Sequence, residues 1–313
     1  MKNVENIIAA VDVSKIKQEL NKDRFIRNTR KGGNEIYIVN AHNSPNVIKE
    51  IGRLREISFR DAGGGTGLAL DLDDFDTNET CYEQLIVWSP DDEEIVGGYR
   101  FIKCEIALND SKKPNLSTAN YFDFTDDFTK NYLPKTIELG RSWVQPNFQP
   151  HKNPRKGLFA LDNIWDGLGA LTVVNPEIEY FFGKVTMYPD YNRECRDFLL
   201  YFMHFYFPDN EKLMQPFFPL VKDTLNDKEF HRMLTGLVFK DGFKVLNQYI
   251  RARGENVPPL VNIYMHLSPT MKTFGTAVNP EFGGVEETAI LVKIADVYED
   301  KKVRHIDTMS LKK

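Results

Sequence analysis

Thr136-Ile137-Glu138-Leu139-Gly140-Arg141-Ser142-Trp143-Val144 reads as a β-strand that carries two opposite charges and one glycine. Side chains on a strand alternate between faces, so Glu138 and Gly140 point one way and Leu139 and Arg141 the other. Glu138 and Arg141 cannot share a face unless an extra residue is inserted, and Gly140 permits such a bulge. The same two charges also fit an edge strand facing solvent.

Upstream lies a hairpin. Gln84 to Trp88 is mostly apolar, Pro90 to Glu94 makes the turn, and Ile95 to Ile102 returns with Gly97 and Gly98 inside it. Interior glycines mark close backbone approach. Arg100 sits in the apolar returning strand and needs a carboxylate or phosphate partner, because a stranded buried charge is costly. Earlier still, Ser44-Pro45 sets a helix start, and Val47, Ile48, Ile51, Leu54 and Ile57 follow at helical spacing. Asp61 to Thr66, with Gly63, Gly64 and Gly65, is a loop leading into Asp71-Leu72-Asp73-Asp74-Phe75-Asp76.

Downstream, Leu158, Leu161, Ile164, Trp165 and Leu168 recur with helical period. Val185 to Met187 reads as a short strand and Arg193 to Phe207 as a largely buried helix. Phe217 to Leu237 and Phe243 to Arg253 read as helices, the second stopped by Gly254. Val257-Pro258-Pro259 breaks the chain. Leu260 to His266 and Thr288 to Val297 read as strands around a loop at Asn279 to Gly284. Alternating strands and helices give the α/β or α+β class. No long linker, low-complexity tract or repeat interrupts the chain, so one domain over residues 1–313 is expected, with a helical insertion at 215–253.

The 313 residues are 42% hydrophobic and 27% charged, ordinary for a soluble globular chain. A net charge of -5 argues against a nucleic-acid partner, which would need a clustered basic surface. Cys81, Cys104 and Cys195 form neither a metal pattern nor a disulfide framework and fit a reducing cytoplasm. Met1 to Leu20 lacks the apolar run of a secretory signal. Phe198 to Phe207 is too short to span a bilayer, which takes about 20 residues, so membrane contact, if any, is expected to be peripheral.

Besides the strand with Glu138 and Arg141, three groupings could carry chemistry. The carboxylates Asp71, Asp73, Asp74 and Asp76 could hold a cation or an amine, or form a solvated acidic turn; the glycine and glutamate of a calcium loop are missing. Arg100 could pair with one of these aspartates and still shape a pocket. Lys152, Arg155, Lys156 and Gly157, just ahead of a helix, offer positive charge and free N–H groups to a phosphate, although basic loops are common. The histidines have no metal spacing, no serine sits in a nucleophile elbow, and the glycine loop matches no nucleotide fingerprint.

In this order the motifs resemble the ornithine-lipid and glycine-lipid N-acyltransferases, a group also labelled hemolysin-like. They resemble the acyl-homoserine-lactone synthases more distantly. All are GNAT-related. Arg55 with Phe59 corresponds to the family's arginine-and-aromatic motif, and residues 71–76 to its acidic motif, with aspartate where glutamate is usual at the first position. Ile95 to Arg100 corresponds to "vvGtyRl", and Glu138-Leu139-Gly140-Arg141 to "ElsR". Leu161 to Leu168 and Phe182 to Met187 follow as the family's helix and next strand. Val257-Pro258-Pro259-Leu260-Val261 resembles "iPPLl", and Asn279-Pro280-Glu281-Phe282-Gly283 resembles "dpeFg".

The resemblance implies a GNAT-like acyl-CoA N-acyltransferase fold, a mixed central sheet flanked by helices. It implies transfer of a (3-hydroxy)fatty acyl group from acyl carrier protein or acyl-CoA to the amino group of an amino acid such as ornithine or glycine. The thioester donor is a substrate, and no resident cofactor is required. Glu138 is the first choice for general base, then Asp71, Asp73 or Asp76, with Arg55 and Phe59 beside the acceptor. Arg100 and Arg141 would organise the carboxylates or bind the acceptor's own. Trp143, Val144 and the basic loop 152–157 would hold the donor, and Trp143 and Phe148 could line an acyl channel. The loop from Gln149 to Gly157 departs from the GNAT pyrophosphate pattern and suits the single phosphate of a carrier protein. Rival readings are a small-amine acetyltransferase, a signal-lactone synthase and a non-catalytic acyl-binding module. The retained set Asp71, Arg100, Glu138 and Arg141 argues against the last.

Overall fold

The computed structural model describes residues 4–108, 113–222 and 224–307. Its strands are β1 (Phe25–Asn28), β2 (Glu35–Val39), β3 (Glu83–Ser89), β4 (Glu94–Lys103), β5 (Phe122–Phe124), β6 (Thr136–Val144), β7 (Tyr180–Met187), β8 (Met214–Pro216), β9 (Lys272–Asn279) and β10 (Val285–Lys293). Eight form one sheet in the order β1-β2-β3-β4-β6-β7-β10-β9, while β5 and β8 pair separately. All neighbours in the large sheet are antiparallel except β6 and β7. These two run parallel and pair only from Thr136↔Tyr180 to Leu139↔Gly183. Beyond that point the sheet is parted.

Strand alternation sorts the core into two layers. Ile86 and Trp88 meet Val47, Ile48, Ile51 and Leu54 of helix α2 (Pro45–Asp61), which follows the short α1 (Val13–Glu19). On the same face, Ile102, Phe182 and Leu291 are covered by Cys104, Phe128 and Leu133 from the long β4–β6 connection. Leu85, Tyr99, Phe101, Phe181 and Ile290 point the other way. They pack on α3 (Ala160–Val174), α4 (Arg193–Tyr206), α5 (Asp227–Leu234), α6 (Phe239–Arg251) and α7 (Pro259–Met265). The mixed α/β architecture anticipated from the sequence is present.

Local chemistry explains most elements. Ser44 occupies the N-cap of α2 and Pro45 its first position, but the Ser44 hydroxyl makes no capping bond. Glu19 does that work from α1, accepting from the backbone N–H groups of Asn46 at 3.1 Å and Val47 at 2.8 Å. A carboxylate there also complements the positive helix end. A Cβ on Gly97 would sit 2.4 Å from the Trp143 carbonyl, and one on Gly98 2.3 Å from that of Leu85. Both glycines are therefore demanded by the neighbouring strands.

Three expectations are corrected. Leu260 to His266 is not a strand but α7, because Pro259 presets helical φ at the first turn and Val261 and Met265 bury one face. Phe217 to Leu237 is helical only over Asp227–Leu234. Ahead of it Pro219 bridges to Ala277 of β9, and Leu220 N–H donates to the Thr276 carbonyl, so that stretch is drawn out along the sheet edge. The strand placed at 288–297 runs over Val285–Lys293, and β9 precedes it as its antiparallel partner.

Candidate active site

A cavity of about 900 Å³ fills the gap where β6 and β7 separate. Tyr99, Leu139, Phe181, Ile290 and Val292 line it from the α3 side of the sheet, with Trp165, Leu168 and Tyr264 beyond them. Arg100, Gly140, Lys184 and Glu287 line it from the opposite face. One cavity therefore runs through the sheet, apolar at one end and charged at the other.

The bulge that Gly140 permits is real, and it falls one residue later. Gly98 pairs with Trp143 and Arg100 with Gly140, so β6 carries one residue more than β4 between these points. Arg141 takes a φ of +49°, a left-handed conformation rare for a residue with a Cβ. The insertion returns Arg141 to the face of Arg100. It does not pair with Glu138 there; it reaches Asp71 at 3.2 Å and Asp73 at 3.7 Å.

Six charges interlock on that face. Arg55 binds Asp71 at 2.9 Å and Asp76 at 3.0 Å, and Arg100 binds Asp73 at 2.6 Å and Asp76 at 3.2 Å. Gln84 adds a hydrogen bond to Asp76 at 2.8 Å. Three arginines balance three aspartates, which is what a buried ionic cluster needs. Burial alone would raise the Asp71 and Asp76 carboxyls, but the adjacent arginines outweigh it and hold both below the ordinary carboxylate range. The Asp73 side chain is 34% exposed and lies on the cavity wall. Asp73 is the N-cap of the single-turn helix Asp74–Thr77, and its backbone N–H donates to Asp76 Oδ2 at 3.1 Å. Arg55, Asp71 and Asp76 are fully enclosed behind this wall.

Glu138 lies elsewhere. Its side chain is fully buried and off the cavity wall. It accepts from the Tyr82 hydroxyl, the Thr118 hydroxyl, the Ser117 hydroxyl at 3.1 Å and the Thr118 N–H at 2.9 Å. Four donors occupy its lone pairs, so this carboxylate anchors the 116–119 segment and has little capacity left for an incoming ammonium. Phe59 packs edge-on against Phe282 at 5.1 Å, and the Arg141 guanidinium lies 4.1 Å from that ring's centre. Trp143 and Val144 line the cavity; Phe148 packs in the α3-side core instead. Lys152 pairs with Asp61 at 2.5 Å and Lys156 with Asp92 at 2.6 Å, while Gly157 is packed against Pro150. None of residues 152–157 lines the cavity, and Arg155 is exposed with no ion pair among the described residues.

The sequence reading assigned no role to a second polar group on the wall. Lys184 binds Glu287 at 2.8 Å, Asn279 donates to Glu287 at 3.2 Å, and the Tyr121 hydroxyl donates to Asn279 at 2.9 Å. One signal was available. Lys184 is a cation inside a mostly apolar strand, the same anomaly that singled out Arg100.

Residues 54–156 match the acetyltransferase (GNAT) domain family, a span that runs from Leu54, beside Arg55, to the basic loop. Two relatives named glycine N(alpha)-acyltransferase align over nearly the whole chain. That of Bacteroides thetaiotaomicron is 54% identical over 97% of this chain and 90% of its own length. That of Phocaeicola vulgatus is 52% identical over 97% and 94%. No solved structure matches. At such identity and coverage the chain belongs to the glycine N(alpha)-acyltransferase family, it carries a GNAT domain, and it is an N-acyltransferase.

Proposed function

We propose that the chain transfers a long-chain, optionally 3-hydroxylated, fatty acyl group from a thioester to the amino group of glycine, in aminolipid synthesis. Acyl carrier protein is the preferred donor and acyl-CoA the second. The acceptor follows the name of the two relatives. The observation that carries the reading is the cavity through the parted sheet, with carboxylates at one end and an apolar channel at the other. An acyl chain entering on the α3 side brings its carbonyl to the unpaired edge of β6 from Gly140 to Ser142, and the amine meets it from the charged side.

The new N–C bond forms as the C–S bond breaks. One ammonium proton must leave before attack, and the proposal gives it to Asp73, the cluster carboxylate that faces the cavity. The second leaves the nitrogen as the tetrahedral intermediate collapses and ends on the departing thiolate. Backbone N–H groups freed by the strand separation would face the developing oxyanion. Arg55, Arg100 and Arg141 keep Asp71, Asp73 and Asp76 in place, and Glu138 is a positioning residue. Of the basic loop, Arg155 is left for the carrier's phosphate.

Lipid mass spectrometry of cells expressing the protein tests the reading. An N-acylglycine absent from control cells is the expected product. A different acylated amino acid would overturn the acceptor, and acetylated amines alone would overturn the lipid assignment. No helix among the described residues is long and apolar enough to cross a membrane.

A further inference from the structure

The charged end of the cavity is lined by an arc that starts at Arg141 and ends at Lys184. Arg141 stacks on Phe282, whose backbone N–H donates to Asn279 Oδ1 at 3.2 Å. Asn279 Nδ2 donates to Glu287, and Glu287 accepts from Lys184 Nζ at 2.8 Å. Tyr121 completes the arc, with its hydroxyl on Asn279 and its ring centre 4.5 Å from the Lys184 ammonium. Lys184, Glu287, Asn279 and Tyr121 have no part in the proton transfer assigned to Asp73.

Donor accounting separates Lys184 from the other cations. Arg100 and Arg141 are engaged with Asp71, Asp73 and Asp76. An ammonium has three N–H donors, and among the described residues Glu287 is the single carboxylate that Lys184 meets. Its side chain is 12% exposed and lines the cavity. Burial, then Glu287 and Glu281, push the Tyr121 hydroxyl up to about 12. Tyr121 therefore stays neutral and does not compete as an anion. The three-arginine, three-aspartate cluster is balanced, and so is Lys184 with Glu287. A zwitterion, which is also neutral, can bridge the two without stranding charge.

We infer that Lys184, held by Glu287 and Tyr121, binds the carboxylate of the amino-acid acceptor while Asp73 receives its ammonium, so the site selects zwitterions over plain amines. This rests on the amino-acid reading of the acceptor. Of the two roles the sequence offered Arg100 and Arg141, organising the aspartates or binding the acceptor's carboxylate, their ion pairs favour the first.

Steady-state kinetics with palmitoyl acyl carrier protein, using glycine or glycinamide as acceptor, test it. Wild type should prefer glycine. Lys184→Met should raise KM for glycine roughly 10- to 100-fold, the scale of one lost charged hydrogen bond, and shift kcat/KM for glycinamide far less, because that acceptor has no carboxylate to bind. A merely structural lysine would lower both acceptors alike, and that result, or an unchanged KM for glycine, overturns the inference. Should the methionine variant fail to fold, Lys184→Gln, which keeps a donor toward Glu287, carries the same two expectations. If wild type acylates no glycine but does acylate simple amines, the acceptor reading falls and the carboxylate site with it. Loss of the Lys184 effect with glycine still acylated removes the carboxylate site alone.

Discussion

At the charged end of the cavity, ion pairs between 2.6 and 3.7 Å tie Arg55, Arg100 and Arg141 to Asp71, Asp73 and Asp76. The other end presents Leu168, Phe181, Ile290, Val292 and Tyr264, held by packing alone. Removing one member from the first strands a buried charge. Changing one member of the second alters volume and little else. The charged end should therefore govern whether reaction occurs, and the apolar end which chain is accepted.

The largest expected effect separates the two carboxylates that could serve as base. Asp73→Asn should lower kcat by about 10²–10⁴-fold in a protein that still folds, with a smaller loss of stability than Arg55→Met because Arg100 keeps Asp76. Glu138→Gln should act mainly on stability, costing about 1–3 kcal/mol because the amide cannot accept from all four donors. Full loss of turnover in Glu138→Gln at unchanged melting temperature would return the base to Glu138. Next comes Arg55→Met, which leaves Asp71 and Asp76 partly uncompensated and should cost about 3–5 kcal/mol in urea unfolding. A variant as stable as wild type would mean the cluster is not the rigid end of the comparison.

Acid should expose the same end. Asp71 and Asp76 have folded-state pKa values below their unfolded ones. The stability they contribute is fully present above about pH 4, near the unfolded aspartate value, and is lost as pH falls through the folded values. The urea midpoint should drop in that window and drop less in Arg55→Met; an equal drop in both would assign acid sensitivity to other groups. The smallest effect belongs to the apolar end. Leu168→Trp should cost about 1–3 kcal/mol in stability and shift kcat/KM from palmitoyl toward octanoyl donors, with glycine KM unmoved. A parallel loss for both donors would show that the chain does not reach Leu168.

The sequence made the charged end legible because its parts announce themselves locally. Arg100 in an apolar strand, Gly140 beside Arg141 and the run from Asp71 to Asp76 each violate a local expectation. It did not reveal which carboxylate faces the cavity. That depends on the 116–119 segment folding over Glu138, a contact between residues about 20 positions apart. Glu19 as the cap of α2 was hidden for the same reason. Leu260 to His266 was misread because a short apolar run carries no decisive period, and the weight of Pro258-Pro259 as a helix start was missed. The apolar end was least visible, since its residues come from β4, β6, β7, β10, α3 and α7 and any aliphatic or aromatic would satisfy the pattern.

The central claim is that donor and acceptor meet through the gap between β6 and β7. A crystal structure with a non-hydrolysable ketone analogue of palmitoyl-pantetheine tests it most directly. The carbonyl carbon should lie beside the backbone of Gly140 to Ser142, with the alkyl chain running past Phe181 and Ile290 toward Leu168. A chain lying on the Asp73 side of the sheet, or a carbonyl away from the parted strands, would contradict the account.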